Sequence, residues 1–121
     1  MNNAPIGIFD SGIGGITILN SIKKTLPKES IIYYSDNYNS PYGNKSKKEV
    51  EKLSIKNTKF LIEKGCKIIV VACNTATTNS ISKLRTNFDL PFIGVEPAIK
   101  PAAMQTKSGL IGVLATKGTL S

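Results

Sequence analysis

Short apolar runs alternate with amphipathic stretches along the whole chain. Ile6 to Phe9 is an apolar run and predicts a strand. Ile13 to about Leu26 sets Ile16, Leu19 and Lys23 one turn apart, which predicts a helix closed by Pro27. Ile31 to Ser35 predicts a second strand. A polar loop follows, Asp36 to Lys45, and contains Pro41-Tyr42-Gly43. Ser46-Lys47-Lys48-Glu49 has the form of a capping box, in which the serine and glutamate side chains satisfy two orphan backbone donors. The helix it opens runs to about Lys64, with Val50, Leu53, Phe60 and Leu61 on its apolar face, and stops at Gly65.

Lys67 to Ala72 holds the most apolar strand, Ile68-Ile69-Val70-Val71. It lacks polar alternation, so both of its faces are expected to be buried. A helix from about Ala76 to Phe88, a strand from Pro91 to Val95, a short helix from about Ala98 to Gln105 and a strand from Leu110 to Leu114 complete the pattern. Strands alternating with helices predict an α/β fold: an open, mainly parallel sheet with helices on both faces and right-handed crossovers. The chain stops at Thr119-Leu120-Ser121, where the pattern asks for another helix. It therefore reads as the N-terminal part of a longer protein, with a first lobe over residues 1–97 and the start of a second over 98–121.

Composition narrows the function. The 121 residues suffice for one compact domain, and 40% hydrophobic content marks a globular chain. No apolar run is long enough to span a bilayer and no secretory leader is visible, so the reading is cytoplasmic with no membrane partner. Two cysteines and no histidine exclude a conventional zinc site. The net charge of +8 is almost wholly lysine, with Arg85 the sole arginine. The lysines fall on polar helix faces, among them Lys45, Lys47, Lys48, Lys52, Lys56 and Lys59. Without arginine forks or interleaved aromatics they read as a solvated face, not a nucleic-acid surface.

Ligands of open parallel sheets bind at the carboxyl ends of the strands. Those ends carry Asp10-Ser11-Gly12-Ile13-Gly14-Gly15, Ser35-Asp36-Asn37 with the Pro41-Tyr42-Gly43 loop, Cys73-Asn74-Thr75-Ala76-Thr77, Gly94-Val95-Glu96-Pro97 and Thr116-Lys117-Gly118-Thr119. The glycine-rich turn suits a carboxylate or a phosphate. A dinucleotide fingerprint is the rival, with Asp36 as its ribose-binding acid. Thr17 in the third glycine position and the charge of Asp10 beside the phosphate site count against it.

Cys66 and Cys73 stand at opposite ends of one extended segment, roughly 23 Å apart at strand rise. They cannot form a disulfide or serve one substrate together. Cys66 reads as a structural thiol. Cys73 sits ahead of a helix whose first amides favour a thiolate, with Asn74, Thr75 and Thr77 as neighbouring donors. A thiol without histidine does not fit a cysteine hydrolase. A thiolate can act as a base itself, which points to proton transfer at carbon.

Together these motifs resemble those of the glutamate racemases of the aspartate/glutamate racemase family, over essentially the whole chain. The resemblance implies cofactor-independent interconversion of L- and D-glutamate, with D-glutamate feeding peptidoglycan synthesis; the alternative is a related amino-acid racemase or decarboxylase-like enzyme acting on another substrate. One thiolate removes the α-proton and a thiol on the opposite face returns one. By resemblance Cys73 and Asp10 are catalytic, Asp10, Ser11, Tyr42, Gly43, Asn74 and Thr75 bind substrate, and Glu96, Thr116 and Thr119 stand behind them. No metal is implied, the partner is a small molecule, and the complete protein is expected to form a homodimer. The Gly-Cys-Thr-His motif that carries the second thiol is missing from these 121 residues, so the chain alone is expected to be inactive.

Overall fold

The computed structural model describes residues 3–12 and 14–95. Four strands form one parallel sheet: β1 (Ile6–Asp10), β2 (Ile31–Ser35), β3 (Ile68–Val71) and β4 (Phe92–Gly94). Three α-helices connect them: α1 (Ile16–Thr25), α2 (Lys47–Glu63) and α3 (Asn74–Asn87). A single 3-10 turn spans Asn37–Asn39. The expected α/β fold is therefore present. The helix and strand expected beyond Val95 lie outside the described residues, as does the boundary near residue 97.

Side-chain alternation divides the core into two layers. Ile6, Ile8, Val70 and Ala72 point to one face, where Ile18, Leu19 and Ile22 of α1 cover them. Phe9, Ile69, Val71 and Phe92 point to the other face. There they meet Val50 and Leu61 of α2, with Ala76 and Leu84 of α3. Helices on both faces explain why all of β1 and most of β3 are buried and why neither strand alternates with polar residues.

The strand order is β2-β1-β3-β4. The chain moves one way from β1 to β2, then crosses back over β1 to reach β3 and β4. The connection leaving β1 therefore goes to one face of the sheet and the connection leaving β3 goes to the other. A crevice opens between the carboxyl ends of these two neighbours, which is where open α/β sheets bind ligands.

Helix ends follow the sequence signals with instructive differences. Gly65 ends α2 at φ +84°, a conformation that L side chains resist. The Ser46 side chain caps α2 by accepting from the Glu49 N–H at 3.2 Å. The Glu49 carboxylate accepts from the Ser46 hydroxyl and not from its backbone amide, so only one side of the expected box forms as drawn. α3 begins at Asn74, two residues earlier than predicted, and Cys73 itself is the N-cap.

Ser46→Ala should lower stability by about 1 kcal/mol through loss of that cap. Ser46→Asp, which keeps an acceptor, should remain near the parent. Urea denaturation of the three proteins checks this; equal midpoints for parent and alanine variant would remove the cap from the stability of α2.

Candidate active site

The crevice between β1 and β3 is built around two side chains from its two walls. Asp10 ends β1 and is 3% exposed. Its carboxylate accepts from the Ser11 amide at 2.7 Å, from the Gly15 amide through a short bond, and from the Tyr33 hydroxyl at 3.2 Å. A buried carboxylate needs such donors, because unsatisfied burial of a charge is costly. The effect is to curl the β1–α1 loop back onto its own strand. Gly15 permits the close approach: a Cβ there would lie 2.8 Å from Asp10 Oδ2 and 3.1 Å from the Ala72 Cβ.

Strand β2 clamps the same loop from outside. The Tyr33 hydroxyl also lies 3.3 Å from the Gly12 carbonyl, so one proton is shared between two acceptors. The Ser35 hydroxyl donates to that carbonyl as well. Burial and the neighbouring Asp10 charge both push the Tyr33 phenol above its ordinary range, which keeps it a donor.

Cys73 occupies the opposite wall. Its sulfur accepts from the Ala76 N–H at 3.4 Å, and its S–H donates to the Ser11 hydroxyl at 3.3 Å. The contact with Ser11 joins two loops that are 62 residues apart in the chain. A helix N-terminus leaves four amides without intrahelical partners, and Cys73 stands where they converge. Asn74 and Thr75 form the first turn beside it, Asn74 exposed and Thr75 buried. Thr77, expected as a further donor near the thiol, turns away instead. Its hydroxyl donates to the Val71 carbonyl at 3.2 Å and ties the helix to β3. Cys66 lies at the far end of the sheet, buried against Gly7, and both thiols are free. Burial pushes the Cys66 thiol up, as suits a structural position.

The Pro41-Tyr42-Gly43 loop closes the rim from the β2 side. Tyr42 is 1% exposed and packs in the same buried cluster as Cys73. Its hydroxyl donates to Asp36 Oδ2 at 2.5 Å and accepts from Asn57 Nδ2 at 2.8 Å. Burial raises the phenol far above its ordinary range, and the hydrogen-bonded Asp36 carboxylate raises it further. Tyr42 is thus a neutral, fixed wall, and the backbone of Tyr42-Gly43 is what the loop presents. Asp36 also accepts from the Asn39 amide at 3.0 and 3.2 Å. Buried and engaged in this way, it is not placed to hold a ribose, which argues physically against the dinucleotide reading.

Of the expected site residues, Asp10, Ser11 and Cys73 come together directly, with Asn74 and Thr75 beside them and Tyr42 and Gly43 on the rim. Glu96, Thr116 and Thr119 lie outside the described residues. Sequence reading missed the clamp from Tyr33 and Ser35, and it missed Asn57. A signal existed for the last: Val50, Ser54, Asn57, Thr58 and Leu61 share the buried face of α2, so polar residues stand at core spacing. A hollow of about 770 Å³ along α2, lined by Lys45, Lys52, Lys56, Lys59 and Phe60 among others, contains none of the strand-end residues.

Residues 6–121 match the family described as Asp/Glu/Hydantoin racemase. The chain is 50% identical over its whole length to a glutamate racemase of Herpetosiphon aurantiacus and 52% identical to one of Clostridium botulinum, covering 48% and 47% of those proteins. It spans about half the length of the curated relatives it matches. Among solved structures it is similar to Escherichia coli glutamate racemase in complex with L-glutamate and the activator UDP-MurNAc-ala. The TM-score is 0.87 at 43% identity, over 97% of this chain and 45% of that one. A Bacillus anthracis glutamate racemase gives a TM-score of 0.87 at 40% identity, over 99% and 46%.

The Tyr42 phenol carries a testable pH dependence. Its ionisation is pushed up in the folded state, so it contributes stability below its ordinary value of 10.0 and loses that contribution as pH rises beyond it. Urea midpoints should fall as pH rises above about 10. Tyr42→Phe should make that fall shallower, though not abolish it, since Tyr33, Tyr34 and Cys66 are raised as well. Identical slopes for parent and variant would mean that Tyr42 ionises in the folded protein as it does in water.

Proposed function

The chain belongs to the Asp/Glu/Hydantoin racemase family, and from that premise we propose that it supplies one thiol of a two-thiol site that interconverts L- and D-glutamate. The observation that carries the reading is the Ser11–Cys73 contact at the switch point of the sheet: a thiol that accepts from a helix amide and faces a polar loop. Relatives that cover the whole chain are named glutamate racemases, which favours glutamate over aspartate or a hydantoin.

The chemistry follows from the residues. An amino-acid α-proton is a weak acid, so donors must be in place before carbanion character develops. The first turn of α3, with Asn74 and Thr75, faces the α-carboxylate, and the Tyr42-Gly43 backbone bounds the substrate from the other side. Cys73 as thiolate takes the α-proton: the C–H bond breaks and an S–H bond forms. A thiol on the opposite face delivers its own proton to the carbon and becomes the thiolate, which completes the inversion. The Ser11 hydroxyl, within hydrogen-bond reach of the sulfur, orients the S–H and then donates to S⁻. Asp10 acts by holding Ser11 in place through its amide. Proton donor and acceptor are both thiols, so the proposed step draws on no cofactor or metal. Cys66 cannot be the second thiol, because it lies at the other end of the sheet.

In this reading residues 1–97 form the first lobe and 98–121 begin the second, with Glu96, Thr116 and Thr119 behind the site. The complete enzyme works in the cytoplasm as a homodimer and supplies D-glutamate for peptidoglycan. Among the described residues no helix is long and apolar enough to cross a membrane.

The test has two arms. The purified 121-residue chain, incubated with L-glutamate in D₂O, should give neither D-glutamate nor α-deuteration. Turnover abolished by Cys73→Ala would show that no second thiol is needed. A polypeptide joining this chain to the second half of the Clostridium botulinum relative should racemise glutamate in preference to aspartate. There Cys73→Ser should cut α-deuteration by about 10²–10⁴-fold; full retention would remove Cys73 from the mechanism.

A further inference from the structure

Asn57 belongs to none of the motifs discussed above, yet among the described residues it is the one α2 side chain that the hydrogen bonds tie to the rim of the site. It sits in the middle of a helix and is 1% exposed. Its Nδ2 donates to the Tyr42 hydroxyl at 2.8 Å. That hydroxyl in turn donates a hydrogen bond to Asp36, so amide, phenol and carboxylate form one buried chain of hydrogen bonds from α2 to the end of β2. Its Oδ1 is buried with no partner among the described residues. An asparagine left half-satisfied in a core costs stability, and a leucine of similar volume would avoid that cost. The residue is therefore poorly explained by packing alone, and the bond to Tyr42 is what it contributes.

We propose that Asn57 is a positioning residue that locks the Pro41–Gly43 loop down beside Cys73 through the Tyr42 hydroxyl. The mechanical path is short. α2 packs on α3, α3 is capped by Cys73, and Tyr42 lies in the same buried cluster as that sulfur. Asp36, bonded through its amide to the end of β1, holds the Tyr42 hydroxyl from the β2 side of the loop. Asn57 anchors the loop from a separate, rigid element. That the loop also bounds the substrate rests on the proposed racemase reading; the tether itself does not.

The experiment measures alkylation of each thiol by iodoacetamide in the 121-residue chain, with the modified peptides resolved by mass spectrometry. Cys73 and Cys66 are both buried, at opposite ends of the sheet, so each reports its own region. Asn57→Leu should accelerate Cys73 about fivefold or more, the local opening expected when one buried hydrogen bond is lost, and leave Cys66 within about twofold. Tyr42→Phe removes the same bond from its other end together with the bond to Asp36, and should accelerate Cys73 at least as much if Asn57→Leu fails to fold. Thr58→Val is the control: Thr58 is equally buried on α2 with an unpartnered hydroxyl, and both rates should stay at the parent value. Equal acceleration of both thiols, or of Cys73 in Thr58→Val, would reduce Asn57 to a general stabiliser of α2 and overturn the proposal. So would an unchanged Cys73 rate in Asn57→Leu or in Tyr42→Phe. No glutamate is present, so the outcome stands whether or not the racemase reading holds. Failure of glutamate to racemise in the joined polypeptide described above would count against that reading alone.

Discussion

A carboxylate taken out of water has to find donors, and Asp10 finds them in the loop that follows it. Two backbone amides and one phenol converge on its oxygens, which turns a flexible Gly-rich stretch into a fixed curl. Everything at the site inherits that geometry. Ser11 faces the sulfur because its amide is held by Asp10, and α1 starts where it does because Gly15 must come within contact of the same carboxylate. A larger residue at Gly15 would push the carboxylate out of its cradle.

The sheet order turns this local curl into a site. β1 and β3 are neighbours whose outgoing connections leave toward opposite faces, so a crevice between them follows from topology alone. Asp10-Ser11 and Cys73 occupy the two lips of that crevice. The pairing of a strand-end acid with a strand-end thiol is thus a product of the doubling back of the chain from β2 over β1. The polar residues that β2 contributes, Tyr33 and Ser35, are the outer wall of the same arrangement.

A second buried carboxylate, Asp36, plays a parallel part on the neighbouring loop. It gathers Tyr42 and Asn39 as Asp10 gathers its amides. The two acids lie at the ends of adjacent paired strands, and the Asp36 amide itself donates to the Asp10 carbonyl. Charge is therefore concentrated along one rim, yet every oxygen of both carboxylates that bonds does so to the protein's own donors. What is left to face a ligand is the thiol, the first turn of α3 and the loop backbone.

Much of this was legible in the residues. Apolar runs and amphipathic periods located all four described strands and three helices, because burial on two sheet faces imposes a pattern that composition cannot hide. Ser46 and Gly65 marked the ends of α2, since caps and positive φ demand particular side chains. The separation of Cys66 from Cys73 followed from strand rise alone. The tertiary structure decided the rest. That Thr77 turns toward Val71, that Tyr42 is held by Asp36 and Asn57, and that Tyr33 and Ser35 clamp the loop after β1 depend on how folding arranges these side chains in space. A hydroxyl or amide bonds to whichever partner folding brings within about 3 Å, and a single sequence carries no record of that choice.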